Sequence, residues 1–358
     1  MINRILEFSI RWRYFVVLLW VVLIGAGTYA AFRLPIDAVP DVTTNQVQIN
    51  TPAPGFTPLE MEKYVTFPVE LAMSNLPRKT EVRSISQFGL SQVTVTFEEG
   101  VDIYWARQLV LERLIEAERN LPVGLSPELA PISTGLGEIY HFTLEQAPDS
   151  PRDYSLMELR TLLDWFIKPE LRNVPGVIDV NSFGGELKQY EILVDPNKLV
   201  SHHLSLSQVI DALRTNNSNV GGAYLEQGGE QQLLRGVGLI QSLSDIEDIV
   251  ISAEMGTPIR IRDIATVGLG AEVRQGAATR DGRGETVMGI AMLLKGENSR
   301  TVTDAVRHRL VQLEKSLPPG VRINPFYDRS TLVSQTINTA TTNLIEGCLL
   351  YTSDAADE

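Results

Sequence analysis

The sequence predicts an α+β protein: one N-terminal transmembrane helix followed by two ferredoxin-like split βαβ units, the second carrying an inserted α+β segment. Three observations predict it. A single apolar run, Tyr14 to Phe32, is long enough to cross a bilayer. After it, amphipathic-helix and period-two strand signals recur twice in the order strand–helix–strand–strand–helix–strand. The second recurrence is broken by a glycine-rich stretch with a capped helix of its own.

Composition sets the outer limits. With 358 residues, the chain is longer than one average domain requires, so two or three folded units are expected. A hydrophobic fraction of 44% and a charged fraction of 21% are those of ordinary globular protein and exclude a disordered or collagen-like chain. The formal charge of −13 repels a phosphate backbone, so nucleic acid is not an expected partner. Cys348 is the only cysteine. Residues 1–347 therefore hold neither a disulfide nor a thiolate metal site, and any metal there needs carboxylate, His or Met ligands.

The apolar run reads YFVVLLWVVLIGAGTYAAF. At about 1.5 Å of rise per residue it covers nearly the ~30 Å hydrocarbon core. Arg4, Arg11 and Arg13 precede it against a single Glu7, whereas Arg33, Asp37 and Asp41 follow. That excess of Arg places the N-terminus in the cytoplasm and the remainder outside. Trp12, Tyr14 and Trp20 lie where amphipathic rings favour the interface. Thr28-Tyr29-Ala30 loosely resembles a signal-peptide cleavage site, but the run exceeds the ~7–15 residues of a signal core and reads as an anchor.

Beyond the span, Leu34 to Pro40 is an extended exit, because proline and the residue before it disfavour helix. Thr57-Pro58-Leu59-Glu60 is a capping box opening a helix to about Leu76, with a kink expected at Pro68. Asp102 caps a second helix, whose stripe is Ile103, Ala106, Val110, Leu114, Ala117 and Leu121. Ser155-x-x-Glu158 is another capping box, ahead of Leu159, Leu162, Leu163 and Phe166. Val302, Ala305, Val306, Leu310 and Leu313 form the stripe of a later helix. Each ends in a proline turn followed by β-type residues. Val93, Val95 and Phe97 alternate with polar neighbours, as do Tyr190, Ile192 and Val194, and Gly89 sits at the turn of a hairpin over 82–98.

The insert, 184–272, contains the capping box Ser205-x-x-Gln208 and the stretch NNSNVGGAYLEQGGEQQLLRG from Asn216 to Gly236. Val220–Leu225 and Gln231–Arg235 are expected to pair across Gly228-Gly229. From composition alone that hairpin is equally a partner-reaching loop and an ordinary surface ribbon.

Several phrases carry a further resemblance. LPIDAVPDVTTNQVQIN (34–50), SQFGLSQVTVTFE (86–98), ISTGLGEIY, NSFGGELKQYEILVDP, QGAATRDG and Pro325-Phe326-Tyr327-Asp328-Arg329-Ser330 occur in that order. Together they resemble the heavy-metal efflux branch, of the cobalt–zinc–cadmium and copper–silver type, of the resistance-nodulation-division transporters. The resemblance runs from residue 1 to about 347. It implies a proton-driven inner-membrane antiporter of Gram-negative bacteria rather than an enzyme. It also implies a homotrimer that joins a periplasmic adaptor protein and an outer-membrane channel, exports a metal cation, contacts membrane lipid and needs no cofactor.

On that footing, residues 1–33 are the cytoplasmic N-terminus and the first of several membrane helices. Residues 34–135 are a first porter subdomain, 136–183 with 273–330 a second, and 184–272 a docking subdomain whose long hairpin contacts the next protomer. Residues 331–347 approach a second membrane helix. The tail, Cys348 to Glu358, departs from the family pattern and resembles a translated sequencing-library adapter. The family's proton-coupling carboxylates lie on a later membrane helix, so this polypeptide by itself is expected to transport nothing. Two other functions fit a large exported region on one span: export of organic compounds by the same superfamily, or a periplasmic scaffold or binding module.

Glu138 and Asp179 are the candidate metal ligands. Glu138 begins the second porter subdomain, in a region the resemblance assigns to substrate passage, and a carboxylate suits a hard or borderline divalent ion. Asp179 and Glu186 stand on nearby segments; a plain salt bridge or solvated carboxylate is the alternative for Glu138. Met288 and Met292 share a strand face as soft ligands would, yet in GIAMLL they read as core filler. His202-His203 reads as a solvent-exposed pair on a loop, and His141 and His308 as isolated residues without a role. No Ser-His-Asp set, Walker loop or dinucleotide fingerprint occurs.

Overall fold

A computed structural model describes residues 10–33, 43–227, 230–254, 256–274 and 276–357. The flanking Arg4 and Glu7, the extended exit Leu34–Pro40 and the Gly228-Gly229 turn lie outside the described residues. Helix α1, Arg13–Arg33, carries the apolar run, and its 13–30 segment is the one helix among the described residues long and apolar enough to cross a membrane.

The first sheet and its helices occupy residues 46–129. Strand β1 is Gln46–Pro52. Helix α2 runs from Pro58–Met61 through a π turn, Glu62–Thr66, into Phe67–Met73. Strands β2 (Lys79–Gln87) and β3 (Leu90–Phe97) make a hairpin on Phe88-Gly89, with Gly89 at φ +72. Helix α3, Ile103–Glu118, and strand β4, Glu128–Leu129, complete it. The strands lie in the order β2-β3-β1-β4, all antiparallel, which is the split βαβ order. Val47 and Ile49 of β1 and Val93, Val95 and Phe97 of β3 point to one face, where Met61, Val65, Val69 and Met73 of α2 and Ala106, Val110 and Leu114 of α3 cover them.

Pro68 does not simply kink α2. Proline has no N–H to give to the carbonyl four residues back. The chain answers with the π turn just before it, in which the Phe67 N–H reaches Glu62 O. The same device precedes Pro169. Helix α4 runs Leu156–Leu162, then a π turn Leu163–Ile167, then Lys168–Arg172.

Strand β5, Glu138–Gln146, precedes α4, and β6, Val177–Phe183, follows it. The insert then supplies β7 (Lys188–Val194), α5 (Pro196–Ser201), α6 (Leu206–Thr215), β8 (Val220–Gln227) and β9 (Glu230–Gly236). It continues with α7 (Leu243–Glu247), β10 (Val250–Glu254), β11 (Thr257–Arg260), α8 (Ile261–Ile264) and β12 (Ala265–Ala271). Short β13 (Ala278–Thr279), β14 (Glu285–Leu293), α9 (Ser299–Glu314), β15 (Val321–Asp328) and α10 (Arg329–Asp357) end the chain. The second sheet runs β13-β14-β5-β15 with β6 also on β14, so its four main strands repeat the order of the first sheet.

Two compact units result: 1–150 with 165–182 and 288–358, and 151–164 with 183–287. The second unit has a core of its own, Val209, Ala212, Ile246, Ile249, Ile259, Ile261 and Ile264. Its ribbon β8–β9 pairs as expected, with Gln227 opposite Glu230. His202 and His203 end α5. His203 takes a left-handed φ of +51, and Leu204 N–H bonds back to Leu199 O at 2.9 Å, the hydrogen bond of a Schellman stop. This pair terminates a helix.

Two substitutions test this packing. Gly289 lies under the Phe142 ring, with 2.9 Å from an added Cβ to Cε1, so Gly289→Ala should lower stability by about 1–3 kcal/mol in urea unfolding of the detergent-solubilised chain. Asp102 Oδ1 accepts the Tyr104 N–H at 2.7 Å and the Trp105 N–H at 3.2 Å. Asp102→Ala should cost about 1 kcal/mol, and Asp102→Ser much less.

Candidate functional site

Glu138 is the first residue of β5, and the turn before it fixes where it starts. Gly137 N–H bonds to Thr134 O at 2.9 Å, and Gly137 O accepts the Leu293 N–H at 2.7 Å. A Cβ at Gly137 would stand 3.0 Å from Thr134 O, so the glycine permits the close turn. On the other edge of β5 the register with β15 is broken: Pro325 faces Phe142 but Tyr327 faces His141. This bulge at Phe326 brings two aromatic rings to His141, Tyr327 at 4.8 Å between centroids and Phe326 edge-on at 5.6 Å.

Gly135, Leu136, Glu138, His141, Tyr327, Arg329 and Leu332 line an open hollow of about 200 Å³. Glu138 Oε2 lies 3.1 Å from His141 Nε2. Nε2 is shut off from solvent and meets Glu138 as an ion-pair contact. Burial holds the His141 pKa below its ordinary value, and Glu138 offsets this only partly. That direction favours the neutral imidazole, which keeps a lone pair on one nitrogen. Arg329 is buried, and its Nη1 donates to Leu136 O.

The residues flanking Tyr327 and Arg329 form a polar knot. Asp328 Oδ1 accepts the Ser330 N–H at 2.9 Å and the Ser330 hydroxyl at 2.6 Å, capping α10. Arg307 Nε donates to Asp328 Oδ2 at 3.0 Å and also pairs with Asp304 at 2.8 Å. These partners raise the Arg307 pKa against the opposing effect of its burial. Burial, with the Asp328 charge, raises the Tyr140 pKa.

Asp179 stands apart from this hollow. It lies on β6, where Oδ1 is 3.6 Å from both Lys168 Nζ and Arg172 Nε and accepts the Val180 N–H at 2.8 Å. Glu186 belongs to the second unit, where its charge acts on Arg274. Met292 is buried and Met288 half-buried within β14. Among the described residues, no group of three or more His, Cys, Asp or Glu is close enough to hold a metal ion. The arrangement with chemistry in it is the Glu138–His141 pair. In the sequence His141 stands as an isolated histidine without a role; on a regular strand, residues three apart point to opposite faces.

With this geometry in hand, comparison with known proteins is informative. Residues 5–352 match the AcrB/AcrD/AcrF family. The chain belongs to that family, within the resistance-nodulation-division transporters. It is 52% identical to protein HelA of Legionella pneumophila over 98% of this chain and 33% of that protein. It is 47% identical to the cobalt-zinc-cadmium resistance protein CzcA of Cupriavidus metallidurans over the same shares. It is 40% identical to the cation efflux system protein CusA of Escherichia coli, covering 97% of this chain and 33% of that one. A crystal structure of a heavy metal efflux pump superposes with a TM-score of 0.84 at 36% identity, covering 94% of this chain and 34% of that one. The chain thus spans about a third of the length of the relatives it matches.

The polar knot yields a prediction. Asp328→Ala should destabilise the chain by about 1–2 kcal/mol through loss of the α10 cap, and Asp328→Asn, which keeps a capping oxygen, by less. Thermal unfolding of both variants checks the order.

Proposed function

We propose that this chain is the N-terminal part of a proton-driven metal-cation exporter of the bacterial inner membrane, with the residues beyond α1 in the periplasm. The supporting observation is the 0.84 TM-score at 36% identity to a heavy metal efflux pump over 94% of the chain. The whole pump works as a homotrimer joined to a periplasmic adaptor and an outer-membrane channel. In this reading the two split βαβ sheets are porter subdomains, and 184–272 is the docking subdomain whose β8–β9 ribbon reaches the neighbouring protomer. A metal cation passes Glu138 on its way out. Asp179 serves as a second carboxylate once the ion replaces Lys168 and Arg172 as its countercharge.

Residues 1–358 alone move no metal. Between Tyr14 and Phe32 there is no Asp, Glu, Lys, Arg or His to carry a proton through the bilayer. Expressed in a metal-sensitive bacterium with its adaptor and channel, the full-length gene should raise the tolerated zinc, cobalt or cadmium concentration several-fold. Residues 1–358 should leave tolerance at the empty-vector level. Full-length expression without effect on any of these metals, or on copper and silver, sinks the exporter reading.

A further inference from the structure

We infer that His141 is a metal ligand, joining Glu138 to make a nitrogen–oxygen pair that takes a borderline divalent cation in the hollow between β5, β15 and α10. This rests on the exporter reading and narrows its substrate class. Three observations carry it.

The first is spacing. Two donors each about 2.0–2.1 Å from a tetrahedral ion are separated by roughly 3.3 Å. Glu138 Oε2 and His141 Nε2 stand 3.1 Å apart, so the pair needs little rearrangement to chelate. The second is direction. Nε2 is buried and faces Glu138 Oε2, and it forms no hydrogen bond with any other group. A buried polar nitrogen left in that state is costly unless something else satisfies it. The third is support. Tyr327 and Phe326, neighbours at the β15 bulge, both pack against the His141 ring. The ring is thus preset, as ligating imidazoles are.

The donor set selects the ion. Imidazole nitrogen with carboxylate oxygen suits Zn²⁺ and Co²⁺, whereas Mg²⁺ prefers oxygen alone and Cu⁺ or Ag⁺ prefer sulfur. Arg329, lining the same hollow, opposes any cation there. With two protein donors and that opposing charge, the site holds an ion loosely, which a transport station requires.

Co²⁺ is the probe, because its visible absorption reports nitrogen coordination. In the detergent-purified chain, Co²⁺ should give a visible spectrum that Mg²⁺ does not compete away and Zn²⁺ does. His141→Gln and Glu138→Gln should each weaken Co²⁺ binding at least tenfold, and the double variant should be little worse than either. His202→Asn with His203→Asn should change nothing. Zinc-edge X-ray absorption of the unsubstituted chain and of His141→Gln, both carrying His202→Asn and His203→Asn and taken at zinc concentrations that fill the site in each, reads the imidazole directly. A His141→Gln protein with unchanged Co²⁺ affinity, or an imidazole signal that survives that substitution, overturns the assignment. If the full-length gene still confers metal tolerance in that event, only the ligand inference fails; if it confers none, the exporter reading fails with it.

Discussion

The contact between Phe142 and Gly289 sets the second sheet, and the candidate site depends on that sheet. Phe142 is fully buried on β5, and the bare Cα of Gly289 on β14 leaves room for its ring. A side chain on β14 at that point would force the two strands apart or push the ring out of its rotamer. Because the gap is filled without strain, β5 sits between β14 and β15 with both edges paired. Its first residues then emerge at the place where β15 ends and α10 begins. Glu138, His141, Tyr327 and Arg329 are neighbours because of strand order, although nearly two hundred residues of sequence separate the two pairs.

Much of this architecture was legible in the sequence because it is written in local chemistry. The capping boxes at Thr57/Glu60, Ser155/Glu158 and Ser205/Gln208 all form with both reciprocal bonds. Gly89 takes the left-handed conformation that the hairpin needs, and the alternating valines of β3 face the core. Each of these signals spans a few residues and depends on nothing distant. Pro68 was legible as an irregularity but not as a π turn, since proline removes a donor without dictating how the helix reroutes its bonds.

The site was legible by half. Glu138 stood out as a carboxylate at the head of a strand, within one of the phrases that carry the family resemblance. His141 did not, because a single histidine three residues further along a strand carries no pattern that marks it as Glu138's neighbour. Asp179 shows the converse. A carboxylate on a strand looks available in sequence, and only the fold reveals that Lys168 and Arg172, on the far side of the Pro169 turn, converge on it. Charge complementarity between distant segments is a tertiary property.

The insert shows how a sheet accepts a large interruption without losing its order. In the first sheet, strands two and three are joined by Phe88-Gly89; in the second sheet, the whole of 184–272 stands at that position. A long loop closes at a cost that grows only logarithmically with its length, provided that its ends are held together. Here they are: β7 and β12 pair antiparallel, with Lys188 opposite Ala271 and Val194 opposite Ala265. Gly184 and Gly185, both at φ +68, make the turn into that ribbon. An added Cβ at Gly184 would lie 2.7 Å from Ala278 Cβ, and one at Gly185 would lie 2.7 Å from Val287 Cγ2, so neither position tolerates a side chain. Arg160 ties the turn down by donating to Gly184 O at 2.6 Å while pairing with Asp164 at 2.7 Å. The ends of the insert are thus clamped at the strands they leave. The sheet that carries Glu138 and His141 can keep its register whatever sequence lies between the clamps.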